Sequence, residues 1–349
     1  MLEMNKGGTP MSDQNRAWQR PSIYDVAAHA GVSHMTVSRV LNGHPNIRDS
    51  TRERVMQAID EMNYTRSSIA RALATRKAMR IGVMVDGPVE YGPNSTLRAL
   101  ERAARDSGYS VSAFSISDDP DLGVDVGVAD LMSQGVDALC VIAPRSSSLD
   151  TLREQPTRVP VLVVKADPDP EMMTVAVDQR AGAHAAVAHL VDLGHREILH
   201  ISGPLDWLDA RARHTAWEED LADRGLTIRD ALVGDWTSDA GFAIGRDAPA
   251  IDDVTAVFAS NDQMALGLIH GLTKRGLRVP EDISVVGFDD LPDARHFLPP
   301  LTTVRQDFAE LGRLGLELLV SRIAGEEPAD SAMILPELIV RESTAPPRA

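Results

Sequence analysis

The sequence predicts an α/β protein with a small helical domain at the N-terminus and a body of two doubly wound parallel-sheet lobes. In the N-terminal part, up to about residue 66, apolar residues recur at helical spacing. From Ile81 onward, short and nearly continuous apolar runs alternate with helical stretches, which is typical of parallel sheets covered on both faces. More than about 250 residues with this pattern exceed one compact unit, so we expect two lobes.

The composition is that of an ordinary globular chain: 349 residues, of which 43% are hydrophobic and 25% are charged. It excludes a collagen, a coiled coil and wholesale disorder. No apolar run approaches the roughly 18 to 20 residues of a membrane helix, and residues 1–20 lack the apolar region of a secretion signal. We therefore expect a cytoplasmic protein without a membrane partner. The single cysteine, Cys140, lies in an apolar run and predicts a buried, inert thiol.

Charge is distributed unevenly along the chain. The net charge is −16, but the stretch from Arg16 to Arg80 contains eleven basic residues against five acidic ones. A basic end on an acidic body indicates a head that binds a polyanion. The alternative is a chance cluster of solvated charges.

Three short helices are predicted after a disordered tail, residues 1–20. The first begins at Ser22, with Asp25 as its capping acid, and ends at Gly31. The second begins at Ser33 and stops at Asn42-Gly43, and the third spans Ser50 to Asn63. Two helices joined by a short turn that contains glycine are typical of a helix-turn-helix, whose second helix lies in the DNA major groove.

The second helix supplies most of the candidate DNA contacts. Arg39 is the strongest candidate for a base contact because its planar fork matches the O6 and N7 acceptors of guanine. Hydroxyl and amide side chains are candidates for phosphate contacts. The alternatives are a solvated surface charge at Arg39 and hydroxyls that only cap helices. The candidates in this domain are Ser22, Tyr24, Ser33, His34, Met35, Thr36, Ser38, Arg39 and Asn42.

The ligand site of the body is predicted at the ends of its strands, because open parallel sheets bind ligands outside the carboxyl ends of their strands. The residues at these ends are Asp86, Lys165, Asp178, Asn261 and Asp289. Such polar groups suit a polyhydroxylated ligand, with Trp236 as an aromatic face and Arg213 as a bidentate donor. The alternatives are a helix cap at Asn261, a strand-end turn at Asp289 and a core position for Trp236.

The sequence shows no motif that indicates catalysis or a cofactor. No Gly-rich phosphate loop, nucleophile elbow or zinc motif occurs, and four histidines between His184 and His200 are spaced wrongly for a metal pair on a helix. We expect neither an enzyme nor a bound cofactor.

Several motifs resemble the lactose/galactose repressor family of bacterial transcription regulators. In the N-terminal domain these are Tyr24-Asp25-Val26-Ala27, Ala30-Gly31-Val32-Ser33 and Thr36-Val37-Ser38-Arg39-Val40. In the body they are the segments 260–267, 276–280, 282–290 and 299–308, so that the resemblance covers about residues 22–342. It implies a body like the periplasmic binding proteins, a DNA-reading head and a location at the bacterial nucleoid.

The resemblance also implies roles for particular residues. Residues 67–79 match a hinge helix whose Leu73, with Ala70 beside it, enters the DNA minor groove; the alternative is a linker helix with Leu73 packed on the body. In the body it adds Pro93, Gln263 and Phe308 to the candidate ligand residues, although Phe308 is equally expected in the core. Lys165 and Ile142 stand where the lactose-responsive member has aspartate and asparagine. A β-galactoside is therefore in doubt, and an acidic or phosphorylated sugar is an alternative to a neutral sugar or glycoside.

The resemblance predicts an organisation and a mechanism. The expected domains are a headpiece at 21–66, a hinge helix at 67–79, and a body at 80–342 before a tail at 343–349. Lobe 1 would hold about 80–174 and 293–334 and lobe 2 about 175–292 and 335–342, with crossings near Val175, Pro292 and Leu335.

Two headpieces on a palindromic operator require a homodimer. A sugar bound between the lobes would release this repressor from double-stranded DNA. The alternatives are a corepressor-type regulator, which the ligand would tighten on DNA, and a cytosolic sugar-binding protein that does not act on DNA.

Overall fold

The structure is a computed structural model that describes residues 21–64, 77–87, 90–117, 119, 122–142, 145–169, 171–327 and 331–348. The chain divides into two compact units, Met1–Ala78 and Met79–Ala349. The predicted tail and most of the predicted hinge helix lie outside the described residues.

Within residues 21–64 the first unit forms three helices: α1 (Ile23–Ala30), α2 (His34–Leu41) and α3 (Asp49–Glu61). Val26, Val37 and Val55 are fully buried and form the centre of its small core. α1 begins with a capping box between Ser22 and Asp25 and ends at Gly31, whose φ of 64° is the left-handed conformation that glycine adopts most easily. The turn that follows leads into α2, as the sequence predicts.

The first lobe of the body is a six-stranded sheet with helices on both faces. Its strands are β1 (Arg80–Asp86), β2 (Ser110–Ile116), β3 (Ala138–Ile142), β4 (Val161–Val164), β5 (Met173–Val177) and β11 (Ser331–Ile334), in the order β11-β5-β4-β3-β1-β2. All the pairings in this sheet are parallel. Its helices are α4 (Tyr91–Asp106), α5 (Val124–Ser133), α6 (Ser146–Glu154) and α11 (Phe308–Ile323).

The second lobe repeats this architecture. Its strands are β6 (Ile198–Ser202), β7 (Leu232–Val233), β8 (Ala256–Ala259), β9 (Ser284–Asp289), β10 (Thr302–Arg305) and β12 (Glu337–Ile339), in the order β12-β10-β9-β8-β6-β7. β12 is antiparallel to β10, and the other pairs are parallel. Its helices are α7 (Gln179–Asp192), α8 (Leu208–Asp223), α9 (Ser238–Asp247) and α10 (Asp262–Lys274).

The chain passes between the lobes three times, and the second crossing differs from the prediction. The first lies at Asp178, between β5 and α7, and the third at Leu335 and Pro336, between β11 and β12. The second lies at Gln306 and Asp307 rather than near Pro292, because Thr302–Arg305 pairs with β9 in the second sheet. Residues 293–305 therefore belong to lobe 2.

Each sheet has apolar packing on both of its faces. In lobe 1 one cluster forms against α4 and α11 and the other against α5 and α6. Cys140 lies in β3 within the first of these clusters, and burial raises the pKa of its thiol to about 12. No helix among the described residues has the length and apolarity to cross a membrane. The predicted α/β architecture of a helical headpiece and two parallel-sheet lobes is confirmed.

Candidate functional site

The exposed side of α2 presents the residues proposed for DNA contact. Met35 is 56% exposed and Tyr24 of α1 is 65% exposed, and the Tyr24 and His34 rings lie 5.0 Å apart, which joins the two helices into one surface. Ser33, His34, Arg39 and Asn42 are also exposed, as is Ser22, while Thr36 and Ser38 are half-buried.

The hydroxyls of this surface also have local structural roles. Ser33 Oγ accepts a hydrogen bond from the Thr36 amide at 3.2 Å and caps α2. Asn42 Nδ2 donates weakly to Ser38 Oγ at 3.4 Å. Capping leaves the outward side of the first turn of α2 free to face a phosphate.

The three-helix domain is less basic than the charge count suggested. Four of the eleven basic residues fall within residues 21–64, together with all five acidic ones. The basic excess therefore belongs to the flanking segments, most of which lie outside the described residues. Ala70 and Leu73, proposed for the minor groove, lie outside them too.

The body contains a cavity of about 60 Å³ between its lobes, at the carboxyl ends of the strands. Seven of the ten residues that the sequence singled out line it: Pro93, Lys165, Arg213, Trp236, Asn261, Asp289 and Phe308. They come from both lobes, and each of the seven ends or follows a different strand. Because the carboxyl ends of the parallel strands lie at the same edge of each sheet, residues that are distant in sequence meet at this cavity.

Three of the predicted residues do not line the cavity. Asp86 is fully buried and accepts hydrogen bonds from the Arg145 amide at 3.0 Å and from Ser148 Oγ at 3.2 Å. Asp178 caps α7 by accepting from the Ala181 amide at 2.8 Å. Gln263 lies in the first turn of α10, away from the cavity lining, although its buried Oε1 has no hydrogen-bond donor among the described residues.

Arg213 is the centre of a buried polar network. Its Nε donates to Gln179 Oε1 at 2.9 Å, and its Nη1 donates to the Ser260 carbonyl oxygen at 2.5 Å. Its guanidinium lies 3.8 Å from the centre of the Phe288 ring, a cation–π contact. Burial opposes the charge and lowers the pKa of Arg213, while Asp289 and Asp209 favour the charged form.

Asp289 closes the same network from the other side. Its Oδ1 accepts from Gln306 Nε2 at 2.6 Å and lies 4.0 Å from Arg213 Nη2. Gln306 in turn accepts from Gln179 Nε2 at 2.9 Å, so the side chains at two lobe crossings are hydrogen-bonded. Burial raises the pKa of Asp289 to about 6, against the opposing effects of Arg213 and Gln306.

The backbone is unusual where the network meets the cavity. Asp289 has a φ of 109° and Trp236 a φ of 72°, a region that residues other than glycine rarely adopt. The Trp236 carbonyl accepts a hydrogen bond from Asn261 Nδ2 at 2.9 Å, while Asn261 Oδ1 caps α10. Backbone strain of this kind clusters at functional sites.

Aromatic rings form two walls of the cavity. The rings of Trp207 and Trp236 meet edge to face at 5.8 Å, and those of Tyr91 and Phe308 at 5.7 Å. The indole Nε1 of Trp236 is buried without a hydrogen-bond acceptor among the described residues. Such walls suit the apolar faces of a ring-shaped ligand.

Lys165 enters the cavity already paired with a carboxylate. Its Nζ lies 3.1 Å from Asp169 Oδ2, which also accepts from Arg153 Nη2 at 2.7 Å. Burial acts against the ionised form of Asp169, but the hydrogen bonds from the Glu171 amide, Lys165 and Arg153 lower its pKa.

The sequence reasoning missed several residues that line the cavity, among them Trp207, Asp209, Gln179 and Gln306. Trp207 and Asp209 follow the end of β6 by several residues, so the search of strand ends alone did not reach them. Gln179 and Gln306 adjoin lobe crossings, and only knowledge of where the chain crosses would have indicated them. Among the described residues no group of His, Cys, Asp or Glu has the arrangement of a metal site.

The helix-turn-helix unit and the two-lobed body together define a class of protein, the DNA-binding regulators whose body has the fold of a periplasmic binding protein. A family profile described as bacterial regulatory proteins, lacI family, matches residues 22–67, and one described as a periplasmic binding protein-like domain matches residues 187–344. The chain belongs to the lacI family of bacterial regulatory proteins, which confirms the resemblance.

Known proteins match the chain over most of its length. The lactose operon repressor of Escherichia coli (strain K12) is 32% identical across 93% of this chain and 91% of its own. A solved structure of a lac repressor dimer bound to operator and the anti-inducer ONPF has a TM-score of 0.85 at 32% identity and covers 94% of this chain and all of that one. A complex of the transcriptional regulator CelR with cellobiose has a TM-score of 0.71 at 30% identity, over 93% of this chain and 100% of the other.

Proposed function

We propose that the chain is a dimeric transcriptional repressor of a sugar or glycoside utilisation operon, released from a palindromic operator when a neutral sugar or glycoside binds between its lobes. The observation that carries this proposal is the cavity in which Arg213, Asp289 and Asn261 converge beside an aromatic wall. A sugar presents hydroxyls that both donate and accept, together with apolar ring faces, and this lining complements both. Repression places the protein at the DNA, in the bacterial cytoplasm at the nucleoid.

The charges around the cavity favour a neutral ligand over an acidic or phosphorylated one. The cavity is lined by two cations, Lys165 and Arg213, and by the carboxylates of Glu90, Asp209 and Asp289. Lys165 is paired with Asp169, and Arg213 lies beside Asp289. A phosphate buried here would lie among carboxylates, and both cations of the described lining already face a carboxylate, so neither would compensate the desolvation of the phosphate.

On the DNA side we propose that α2 lies in the major groove with Arg39 on a base edge. Ser22, Tyr24, Ser33, His34, Met35, Thr36, Ser38 and Asn42 would contact phosphates or neighbouring bases. Ala70 and Leu73 keep the minor-groove role that the family resemblance implies.

Sugar binding would release the DNA through a difference in affinity for two lobe arrangements. A ligand that prefers one arrangement shifts the population toward it, and coupling of about 1 to 3 kcal/mol is typical of such systems. The lac repressor dimer bound to operator supports the dimeric arrangement for this chain.

Fluorescence anisotropy with a labelled operator duplex tests the proposed DNA binding. Several phosphate contacts per head should give a steep fall of log affinity with log salt, and a flat dependence would contradict the proposal. Arg39→Ala should weaken operator binding by about 1 to 3 kcal/mol and relax base preference at one position. Arg39→Lys, the matched variant, keeps the charge but loses the planar fork, so the salt dependence should survive while the base preference is lost.

A thermal-shift screen of neutral sugars and their phosphates tests the ligand side. A sugar that binds the folded chain should raise the melting temperature, and the corresponding phosphate should raise it less. The sugar found in this way should then lower operator affinity. Tighter operator binding in its presence would show a corepressor instead. A chain that binds the sugar but binds no DNA, with or without the sugar, would be a sugar-binding protein that does not act on DNA.

A further inference from the structure

The two lobes contact each other beside Trp207, a residue of the cavity lining, and we take this contact to be the mouth of the cavity. The loop that follows β6 in lobe 2 meets the residues after β3 in lobe 1: the Ser146 amide donates to the Asp206 carbonyl oxygen at 3.0 Å. Arg145 and Trp207 form an antiparallel bridge, and Arg145 Nε lies 3.7 Å from Asp206 Oδ2. Arg211 of α8 donates to Ser146 Oγ at 2.5 Å.

Trp207 occupies the centre of these contacts. It belongs to lobe 2, is 6% exposed and lines the cavity. Its ring packs against Gly87 at the end of β1 in lobe 1, so closely that a Cβ at position 87 would overlap the ring. The Arg145 guanidinium lies 5.6 Å from the ring centre. Glycine is therefore required at this position for the indole to reach lobe 1.

The lobe 1 side of the contact is held rigidly by a buried carboxylate. Asp86 precedes Gly87, is fully buried and accepts from the Arg145 amide and from Ser148 Oγ. It also lies 3.5 Å from Arg145 Nε. One carboxylate thus fixes both Gly87 and Arg145 within lobe 1, and these two residues form the surface against which the Trp207 ring packs.

We propose that Trp207 is a latch: its indole holds the two lobes together at the mouth of the cavity, and a ligand enters or leaves only when the indole leaves Gly87. The same side chain forms part of the cavity wall and touches Trp236 edge to face, so it also limits how far a ligand extends toward the mouth. That the ligand is a sugar rests on the proposed function, whereas the latch is a property of the chain without ligand.

Hydrogen–deuterium exchange of the full chain without ligand tests the latch directly. The Ser146 amide bonds across the cleft, so its exchange reports separation of the lobes at the mouth. In Trp207→Ala we expect exchange about tenfold faster in peptides that cover residues 145–150 and 204–208. Trp207→Phe, which keeps an aromatic ring, should restore most of the protection.

Strand β8, in the core of lobe 2, distinguishes latch opening from loss of the fold. It should exchange at the wild-type rate in Trp207→Ala, and unchanged exchange at residues 145–150 would overturn the proposal. If Trp207→Ala unfolds throughout, Gly87→Ala decides, because the Cβ it adds would take the place of the indole ring. Faster exchange at residues 145–150 in Gly87→Ala, with β8 unchanged, supports the latch, and an unchanged rate at residues 145–150 refutes it.

The effect of the latch on the rates of ligand binding and release is measured separately, by stopped-flow tryptophan fluorescence with cellobiose as the probe. Trp207→Ala should bind and release the probe several-fold faster than the wild type. Absence of any cellobiose signal in the wild type would count against this disaccharide as the ligand of the proposed function, and the exchange experiment would still decide the latch.

Discussion

Asp289 illustrates how a single residue combines strain, burial and charge. Its left-handed backbone aims the carboxylate at Gln306 and Arg213. Burial raises the pKa of Asp289 above its value in the unfolded chain, so the ionised carboxylate lowers the free energy of unfolding. This free energy should fall as the pH rises from about 4 to about 6, and the loss should stay constant at higher pH.

The titration of Asp289 should make sugar affinity depend on pH. An ionised carboxylate accepts hydrogen bonds from ligand hydroxyls, while a protonated one loses part of that capacity. With a pKa of about 6, about a tenth of the chains are ionised at pH 5, so affinity should be weaker there than at pH 7, by up to about tenfold. Isothermal titration calorimetry from pH 5 to 8 measures this.

Asp289→Asn should bind weakly and lose the pH dependence. Asp178→Asn is the matched control, since Asp178 caps α7 outside the cavity lining. A wild-type affinity that is constant between pH 5 and 8 would show that the Asp289 carboxylate does not face the sugar.

At the residue scale, the sequence predicted the cavity residues at or near strand ends. It missed those that lie several residues beyond a strand or next to a lobe crossing. Asp289 was predicted because it ends β9, and Lys165 and Asn261 because they closely follow β4 and β8. Asp86 also ends a strand, but it turns into lobe 1 and fixes Arg145. Sequence alone does not reveal which way a strand-end side chain points.

At the scale of elements, helices α9 and α10 pack with their backbones in direct contact. Glycines of both helices make this possible: a Cβ at Gly267 would overlap the Ser238 carbonyl oxygen, and one at Gly241 would overlap that of Met264. Neither neighbour is a flexible side chain, so neither can yield.

Gly267→Ala should therefore destabilise the chain, although alanine is the better helix former. Overpacking of a tight contact costs about 1 to 3 kcal/mol, and urea unfolding followed by tryptophan fluorescence measures it. Gly92→Ala in α4 is the matched control, because the nearest atoms to its Cβ lie at 3.8 Å, and it should be neutral or stabilising by up to about 1 kcal/mol. Equal stability of Gly267→Ala and the wild type would mean that α9 and α10 can move apart to admit the added methyl group at no cost in free energy.

The element that sequence reasoning misplaced is β10. Its residues, Thr302–Arg305, are only four and begin with two threonines, so they lack the apolar run that indicated β1–β6, β8 and β9. The partnership with β9 comes from the tertiary fold, as does the antiparallel pairing of β12. The pattern of apolar runs therefore predicted two lobes correctly, whereas the second crossing that the family resemblance implied was incorrect.

For the whole molecule, the C-terminal segment fastens the second lobe. Ser343 is fully buried; its Oγ donates to the Val285 carbonyl oxygen at 2.6 Å and accepts from the Thr302 amide at 2.8 Å. The Ala345 carbonyl lies 2.9 Å from His195 Nε2, and the Ala345 amide donates to Ser284 Oγ at 3.0 Å.

Deleting residues 343–349 should lower the free energy of unfolding by about 2 to 5 kcal/mol, because several buried groups lose their partners at once. Deleting only 348 and 349 is the control: it removes an exposed ion pair between Arg348 and Asp282, which is worth less than about 1 kcal/mol. Chemical denaturation of both forms measures the difference. Similar midpoints for the longer deletion and the intact chain would rule out a fastening role.

Cys140 offers a practical consequence. It is the single cysteine of the chain, and with a pKa of about 12 in the middle of β3 it holds almost no thiolate at neutral pH. Maleimide dyes should therefore not react with Cys140. Cysteines introduced at Glu326 and Asp223, which are exposed on different lobes, could be labelled without first removing the native thiol. Energy transfer between such dyes would follow opening and closing in single molecules of an otherwise natural chain.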